Sequence, residues 1–357
     1  MSFGGNCFVV LPLHCANNTV VFGRNSEDET LVGVAQEIVY YDAAESLMGK
    51  TLELSDASSF RIILQKPKPH GIWGGDCGSN EHNVSVAITW TNSSANNLTA
   101  LDIVRITLAS CDTADNALER VGQLITEHGV EDVKFSLIIC DPTKVWLVSC
   151  AGKLWAAQSL SEGYHHVPRN GLAVTTTIEK SSEDLQEALK AMGCWDGEGE
   201  IDFASCFNSS PDSTEEWSGP EPVGDGSYAL ASMFETLRTA AQATTSRSAT
   251  VFVLCSDLIS CHWFTGTPDT SESVFKPFLF ATKPKISPLT KALADNEMTL
   301  LHKLHSQRKA ASLKHLKALE TACVEEVSAY LAEHPEVNEE LDELMKDCVE
   351  AEVKFYR

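Results

Sequence analysis

Two apolar runs, Cys7-Phe-Val-Val-Leu11 and Thr19-Val-Val-Phe-Gly23, flank an Asn17-Asn18 turn, and this pattern predicts a β-hairpin. The hairpin constrains the chain more than any other feature. Its first strand starts at a thiol, and its second ends in Gly23-Arg24-Asn25. Were residues 1–6 removed, Cys7 would carry a nucleophilic thiol and a free α-amine on one residue. An α-amine, with a reference pKa of about 8, takes a thiol proton near neutral pH. Cysteines are also common as small buried residues, so two readings of Cys7 stand at this point: core residue and nucleophile. Arg24 likewise reads either as a turn arginine or as a cation that favours the thiolate.

The chain has 357 residues and 43% hydrophobic content, enough for one large domain or two smaller ones. Lys and Arg number 27 against 50 Asp and Glu, a formal net charge of −23. A surface so acidic repels phosphate backbones and anionic membranes, so neither nucleic acid nor membrane is expected as a partner. The twelve cysteines include no C-x-x-C pair, which argues against a zinc ribbon or a thioredoxin-type motif. The segment Met1-Ser-Phe-Gly-Gly-Asn6 is too short and polar for a signal peptide, and no apolar run reaches about 20 residues. A cytoplasmic location is expected, with no cofactor.

Strands are expected at Gln36–Tyr41, Phe60–Gln65 and Val84–Trp90, with a glycine-rich loop over 71–79 between the last two. Helices are expected at Leu101–Ser110 and Ala114–His128, the second capped by Asp112 or Thr113 and stopped by Gly129. Residues 133–150 read as a hairpin, Leu154–Gln158 as a strand and Ser181 to Met192 as a helix. Residues 196–226 read as a long loop and Tyr228–Ala241 as a helix. Closing strands are expected at Ser248–Cys255, Leu258–Phe264 and Val274–Phe280, then two long helices over about 290–334 and 336–352. Helices set between groups of antiparallel strands predict a layered α+β protein.

Metalloprotease, nucleophile-elbow and P-loop signatures are absent. Cys261-His262 and His165-His166 are adjacent pairs, and neighbouring strand side chains face opposite ways, so neither forms a metal site alone. Asn80, after the glycine loop, reads either as a turn residue or as an amide donor to an oxyanion. Asn170, taken alone, is a loop asparagine.

The blocks Cys7-Phe-Val, Val21-Phe-Gly-Arg-Asn-Ser26, Trp73-Gly-Gly-Asp-Cys-Gly-Ser-Asn-Glu-His82, Gly152-Lys-Leu-Trp-Ala-Ala157, Phe264-Thr-Gly-Thr-Pro-Asp269, Ser273-Val-Phe-Lys-Pro-Phe278 and Asp347-Cys-Val-Glu-Ala-Glu-Val-Lys-Phe355 together resemble the secernin family. Secernins are relatives of the dipeptidase A-like cysteine peptidases in the N-terminal-nucleophile (Ntn) hydrolase superfamily. The resemblance implies a four-layer αββα sandwich with a C-terminal helical extension. It divides the chain into a removable propeptide (1–6), an Ntn-type domain (7–285) and helices packed on it (286–357). It implies Cys7 as nucleophile at the start of a strand, Arg24 supporting the thiolate, and Asn80 and Asn170 binding the oxyanion and α-amine. Glu27 loosely matches the acidic residue that holds the amine.

The implied activity is hydrolysis of amide bonds in small peptides, dipeptidase-like, by a cysteine-type exopeptidase. The family is also associated with exocytosis and membrane traffic. That leaves two alternatives, a non-catalytic regulator binding proteins through its C-terminal helices, and a protein bearing an electrophile at Cys7. The chain departs from the family pattern at Asn83, where glycine is usual, and at Ile88-Thr-Trp90.

Overall fold

The computed structural model describes all residues except 1–2, 28–35, 50–58, 68–71, 92–97, 130–133, 170, 209–225, 241–245, 293–297, 310–311, 335 and 357. The opening hairpin forms as its sequence predicts. β1 (Phe3–Val10) and β2 (Val20–Glu27) pair antiparallel, with Cys7 opposite Arg24. Asn17 and Asn18 sit in the connection at φ 59° and 53°, the left-handed region that asparagine tolerates. One expectation is corrected here: the strand begins at Phe3, so Cys7 lies inside it rather than at its head.

β3 (Gln36–Tyr41), the single turn α1 (Ala43–Ser46) and β4 (Ile62–Pro67) follow. The glycine-rich stretch ends in β5 (Cys77–Asn80), which returns through Asn83 into β6 (Ser85–Thr91). Asn83 stands at φ 64°, so the asparagine that replaces the usual glycine fills a left-handed turn position.

Two capped helices come next. In α2 (Ala100–Ser110), Thr99 and Asp102 form a reciprocal capping box. In α3 (Ala114–His128), Thr113 accepts from the Asn116 N–H, and Gly129 at φ 60° ends the helix. β7 (Lys134–Cys140), β8 (Val145–Ala151), β9 (Leu154–Ser159), β10 (Tyr164–Val167) and the two-residue β11 (Lys180–Ser181) continue the sheet. Then come α4 (Leu185–Ala191), the short α5 (Phe203–Phe207) and α6 (Leu230–Ala240). β12 (Ser246–Leu254), β13 (His262–Phe264) and β14 (Lys276–Phe278) close the sheet. The chain finishes in α7 (Leu300–Ser306), α8 (Leu313–Glu333) and α9 (Leu344–Lys354).

Helical spacing over 290–334 predicts one long helix, but the structure breaks it between Ser306 and Leu313. α7 buries His302 and His305, whereas α8 lies against β14, so two docking sites override a continuous helical propensity. The last two closing strands are also shorter than their apolar runs: a bend at 256–258 and irregular backbone to Cys261 precede β13, and Pro277 limits pairing in β14. α5 supplies a helix inside the segment read as loop.

The result is a mixed α+β chain built on a large antiparallel sheet. Its order is β11-β9-β8-β7-β6-β1-β2-β12-β13-β14, with β10 on β1 and β3-β4-β5 joined to β6. Strand alternation sorts the core. Cys7 and Val9 of β1 meet Ile63, Ala87 and Ile138 in one cluster. Leu64, Val86 and Leu137 face Ile103, Val104 and Leu118 of α2 and α3 in a second. Phe8, Val10 and Val251 face Met233 and Phe234 of α6 and Val327 of α8 in a third. α9 is tied to the sheet by Glu352, which meets Lys276 of β14 at 2.6 Å with both side chains fully buried.

Candidate active site

The pairing of β1 with β2 sets Cys7 across from Arg24, on the face of β1 that belongs to the inter-strand core. Arg24 is fixed by groups on other strands. Its Nε donates to the Ile88 carbonyl at 3.0 Å, and its Nη1 donates to Asp76 Oδ2 at 3.0 Å and to Ser26 Oγ at 2.5 Å. Gln36 Nε2 donates to the same Asp76 oxygen at 2.9 Å and to Ser26 at 2.8 Å. Ser26 also donates to Asp76, and Ser248 donates to Gln36 Oε1. The guanidinium is therefore held directly by β6, by Ser26 of its own strand and by Asp76 in the segment entering β5, and Gln36 of β3 and Ser248 of β12 brace those partners. A buried cation needs such a partner set.

Burial works against the Arg24 charge, but Asp76, with Cys77 and Cys7, outweighs it, and its pKa is raised. Among the described residues, Arg24 Nη2, Asp76 Oδ1 and Gln65 Nε2 are buried without hydrogen-bond partners.

Cys7 itself is completely buried, and its thiol donates to the Gly5 carbonyl at 3.5 Å. Burial pushes the thiol up to about 12, the Arg24 charge pulls it back, and Asp76 raises it again. In the intact chain it is a protonated, inaccessible thiol.

It packs in the cluster of Val9, Ile63, Ala87 and Ile138, and the segment before it is threaded into the same sheet. Phe3 and Gly4 pair with Thr91 and Trp90 of β6, while Gly4, Gly5 and Asn6 pair with Glu27, Ser26 and Asn25 of β2. Both glycines are required. A Cβ on Gly4 would stand 2.4 Å from the Thr89 carbonyl oxygen, and one on Gly5 would stand 2.2 Å from that of Asn25 and 2.8 Å from Arg24 Nε.

The other sequence candidates are not gathered here. Asn80 lies on the opposite face of β5, turned toward α2. Its Nδ2 donates to the carbonyls of Leu108 and Cys111 at 2.8 and 2.7 Å, and its Oδ1 accepts from His82 and Val84 N–H at 3.0 Å. Both amide hydrogens are committed to the end of α2, so in this arrangement Asn80 offers no donor to an oxyanion near Cys7. Glu27 is opposite Gly4, three residues along from Cys7, or about 10 Å. Its carboxylate is buried 3.1 Å from Arg169 Nε. Asn170 lies outside the described residues.

Sequence reasoning missed Asp76, Gln36, Ser26 and Ser248. Asp76 had a usable signal: an arginine inside a strand of an apolar core demands a carboxylate, and Asp76 stands in the Trp73–His82 block. Gln36 and Ser248 carry no such signal. Among the described residues no group of three or more His, Cys, Asp or Glu converges to hold a metal ion.

The site thus sets a buried thiol opposite a carboxylate-anchored arginine across an antiparallel strand pair. The family comparison supplies the class of protein, a cysteine peptidase or amide hydrolase. Residues 57–221 match the model of peptidase family C69. That is the dipeptidase A and secernin family, so the resemblance read from the sequence stands. The matched stretch carries Asp76 and Asn80, while Cys7, Arg24 and Glu27 precede it.

Two solved structures of a conjugated bile acid hydrolase from Clostridium perfringens are also similar. One, a mutant with a cysteine replaced by alanine, is 10% identical, with 78% of this chain and 90% of that chain covered at a TM-score of 0.37. The other, a variant with an arginine replaced by leucine, is 10% identical, with 79% and 99% covered at the same TM-score, 0.37. A likeness this loose carries no correspondence between residues.

Proposed function

We propose that this chain is a cysteine-type hydrolase of amide bonds in small peptides, dipeptidase-like, held latent by its own residues 1–6. The observation that carries the reading is the register that sets Cys7 opposite an arginine anchored on Asp76. Once Cys7 is the first residue, its amine takes the thiol proton and Arg24 favours the thiolate. The thiolate attacks the substrate carbonyl, the amine returns the proton to the leaving amine, and water hydrolyses the acyl-enzyme. Asn170 keeps the oxyanion role in this proposal, since the Asn80 amide is spent on α2.

The four-layer αββα arrangement belongs to the same reading. It is supported by three core clusters, one between strand groups and one under each set of helices. So does the division into propeptide, domain and helical extension, and so does a cytoplasmic location. No described helix is long and apolar enough to cross a membrane.

One observation favours a second reading. In the intact chain the thiol is sealed inside a strand, so an unprocessed protein is a scaffold without a nucleophile. That form suits a non-catalytic role in exocytosis with protein partners. An electrophile at an unmasked Cys7 is the third form of the same site. Peptide hydrolysis by the purified protein, compared with Cys7→Ala, separates the readings. Turnover that survives the substitution overturns Cys7 as the nucleophile.

A further inference from the structure

Residues Phe3–Asn6, whose Gly5 carbonyl accepts from the Cys7 thiol, fill a track of defined width. β2 runs along one side of them and β6 borders Phe3 and Gly4 on the other. Neighbouring strands lie about 4.8 Å apart, so emptying the track would leave a space of about 10 Å between β2 and β6, the width of one strand. Its walls would be the unpaired backbone of Asn25–Glu27 and of Trp90–Thr91. Its floor is Arg24, which reaches across to the Ile88 carbonyl beneath Gly5. The bulge in β6 between Ile88 and Trp90 brings the Thr89 carbonyl against Gly4.

We infer that this track is a peptide-binding slot, filled by the chain's own N-terminus in the intact protein and by an extended peptide once that segment leaves. The inference rests on the reading that residues 1–6 are displaced. Recognition would be by strand addition, with main-chain hydrogen bonds to β2 along the glycine and asparagine positions and to β6 at the first two positions giving affinity. Selectivity follows from the two positions where no Cβ fits. The ligand is an extended peptide with glycine at two successive positions.

The next position, now Asn6, differs. Its side chain turns to the other face, where Oδ1 lies 3.3 Å from His166 Nε2, and the His166 ring stacks on Phe8 at 4.8 Å. A short polar side chain at the residue whose carbonyl adjoins Cys7 therefore has a partner. The ligand class is Gly-Gly-Asn-like, with its acyl end at the thiol.

The test uses the full chain carrying Gly5→Val, in which the new side chain collides with the Asn25 carbonyl and drives its own segment out. The probe is fluorescein-labelled Met-Ser-Phe-Gly-Gly-Asn, compared with the same peptide carrying valine at both glycine positions. Polarisation measures binding, and alkylation of Cys7, mapped by mass, measures cover.

The expected result is that Cys7 becomes reactive in the variant and that the glycine peptide binds and restores its protection. The valine peptide should bind more than about tenfold more weakly. An exposed Cys7 that neither peptide protects, or equal binding of both, overturns the slot, as does a Gly5→Val chain whose Cys7 stays covered. Should Gly5→Val not fold, Gly4→Ala, which collides with the Thr89 carbonyl, replaces it. Turnover is scored separately, with a peptide extended beyond the Asn position and on protein whose chain begins at Cys7. Binding there without hydrolysis leaves the slot and sinks the hydrolase reading, whereas Cys7-dependent hydrolysis without protection of Cys7 by the glycine peptide does the reverse.

Discussion

Asp76 Oδ2 stands 3.0 Å from Arg24 Nη1, with both side chains buried. Because Arg24 faces Cys7 across the strand pair, this contact fixes the charge beside the thiol. Removing one partner of such a pair leaves the other charge uncompensated. Asp76→Ala should therefore cost about 3–5 kcal/mol of unfolding free energy. Asp76→Asn, which keeps the shape and some hydrogen bonding, should cost less. Urea denaturation checks this, and a loss below about 1 kcal/mol, typical of exposed pairs, would show that Asp76 is not the anchor.

The intact chain should be unreactive at Cys7. Alkylation of the native protein followed by peptide mass mapping should modify Cys194, which is exposed, well before Cys7, which is fully buried with its thiol pushed up to about 12. Labelling of both at similar rates would mean that the Phe3–Asn6 segment opens readily.

Three histidines predict acid sensitivity. Burial lowers His262 to about 3, His166 to about 4 and, with Lys276 and His302 adding to it, His305 to about 4. Each is neutral in the fold, while the unfolded chain binds a proton near pH 6.5. The unfolded state thus holds more protons below that pH. Stability is full above about pH 6.5 and falls as the pH drops toward 4. His262 alone, boxed by Phe252 and Phe280, accounts for about 2 kcal/mol between pH 7.5 and 5. His262→Phe should flatten the pH dependence of the urea midpoint over that range. An unchanged slope would contradict this account.

The tail should depend on one ion pair. Lys276 and Glu352 are both fully buried at 2.6 Å, and Tyr356 also donates to Glu352. Lys276→Met alone should destabilise by about 3–5 kcal/mol, and Lys276→Met with Glu352→Leu should recover most of that loss. Additive losses in the double variant, by thermal or urea unfolding, would show that the two charges do not compensate one another.

Much of this was legible in the sequence because local patterns carried it. The Asn17-Asn18 hairpin, the Thr113 cap and the Gly129 stop are each decided within a few residues. The site was legible only at Cys7 and Arg24, which a single hairpin brings together. Asp76 reaches Arg24 across 52 positions of chain, and Gln36 reaches Asp76 across 40, through strand order, which periodicity does not encode. Asn80 misled for a related reason. Its turn position reads the same whether its amide serves an oxyanion or caps a helix, and only the packing of α2 on β5 decides. The broken helix after Ser306 belongs to that class too, since its two halves are separated by what each docks against.

The most direct test of the central claim joins the intact mass and N-terminal sequence of the purified protein to a peptide-hydrolysis assay on the same sample. The account predicts that the hydrolytic fraction begins at Cys7 and that Cys7→Ala removes its activity. Hydrolysis by a chain that still carries residues 1–6, and that persists in Cys7→Ala, would contradict it.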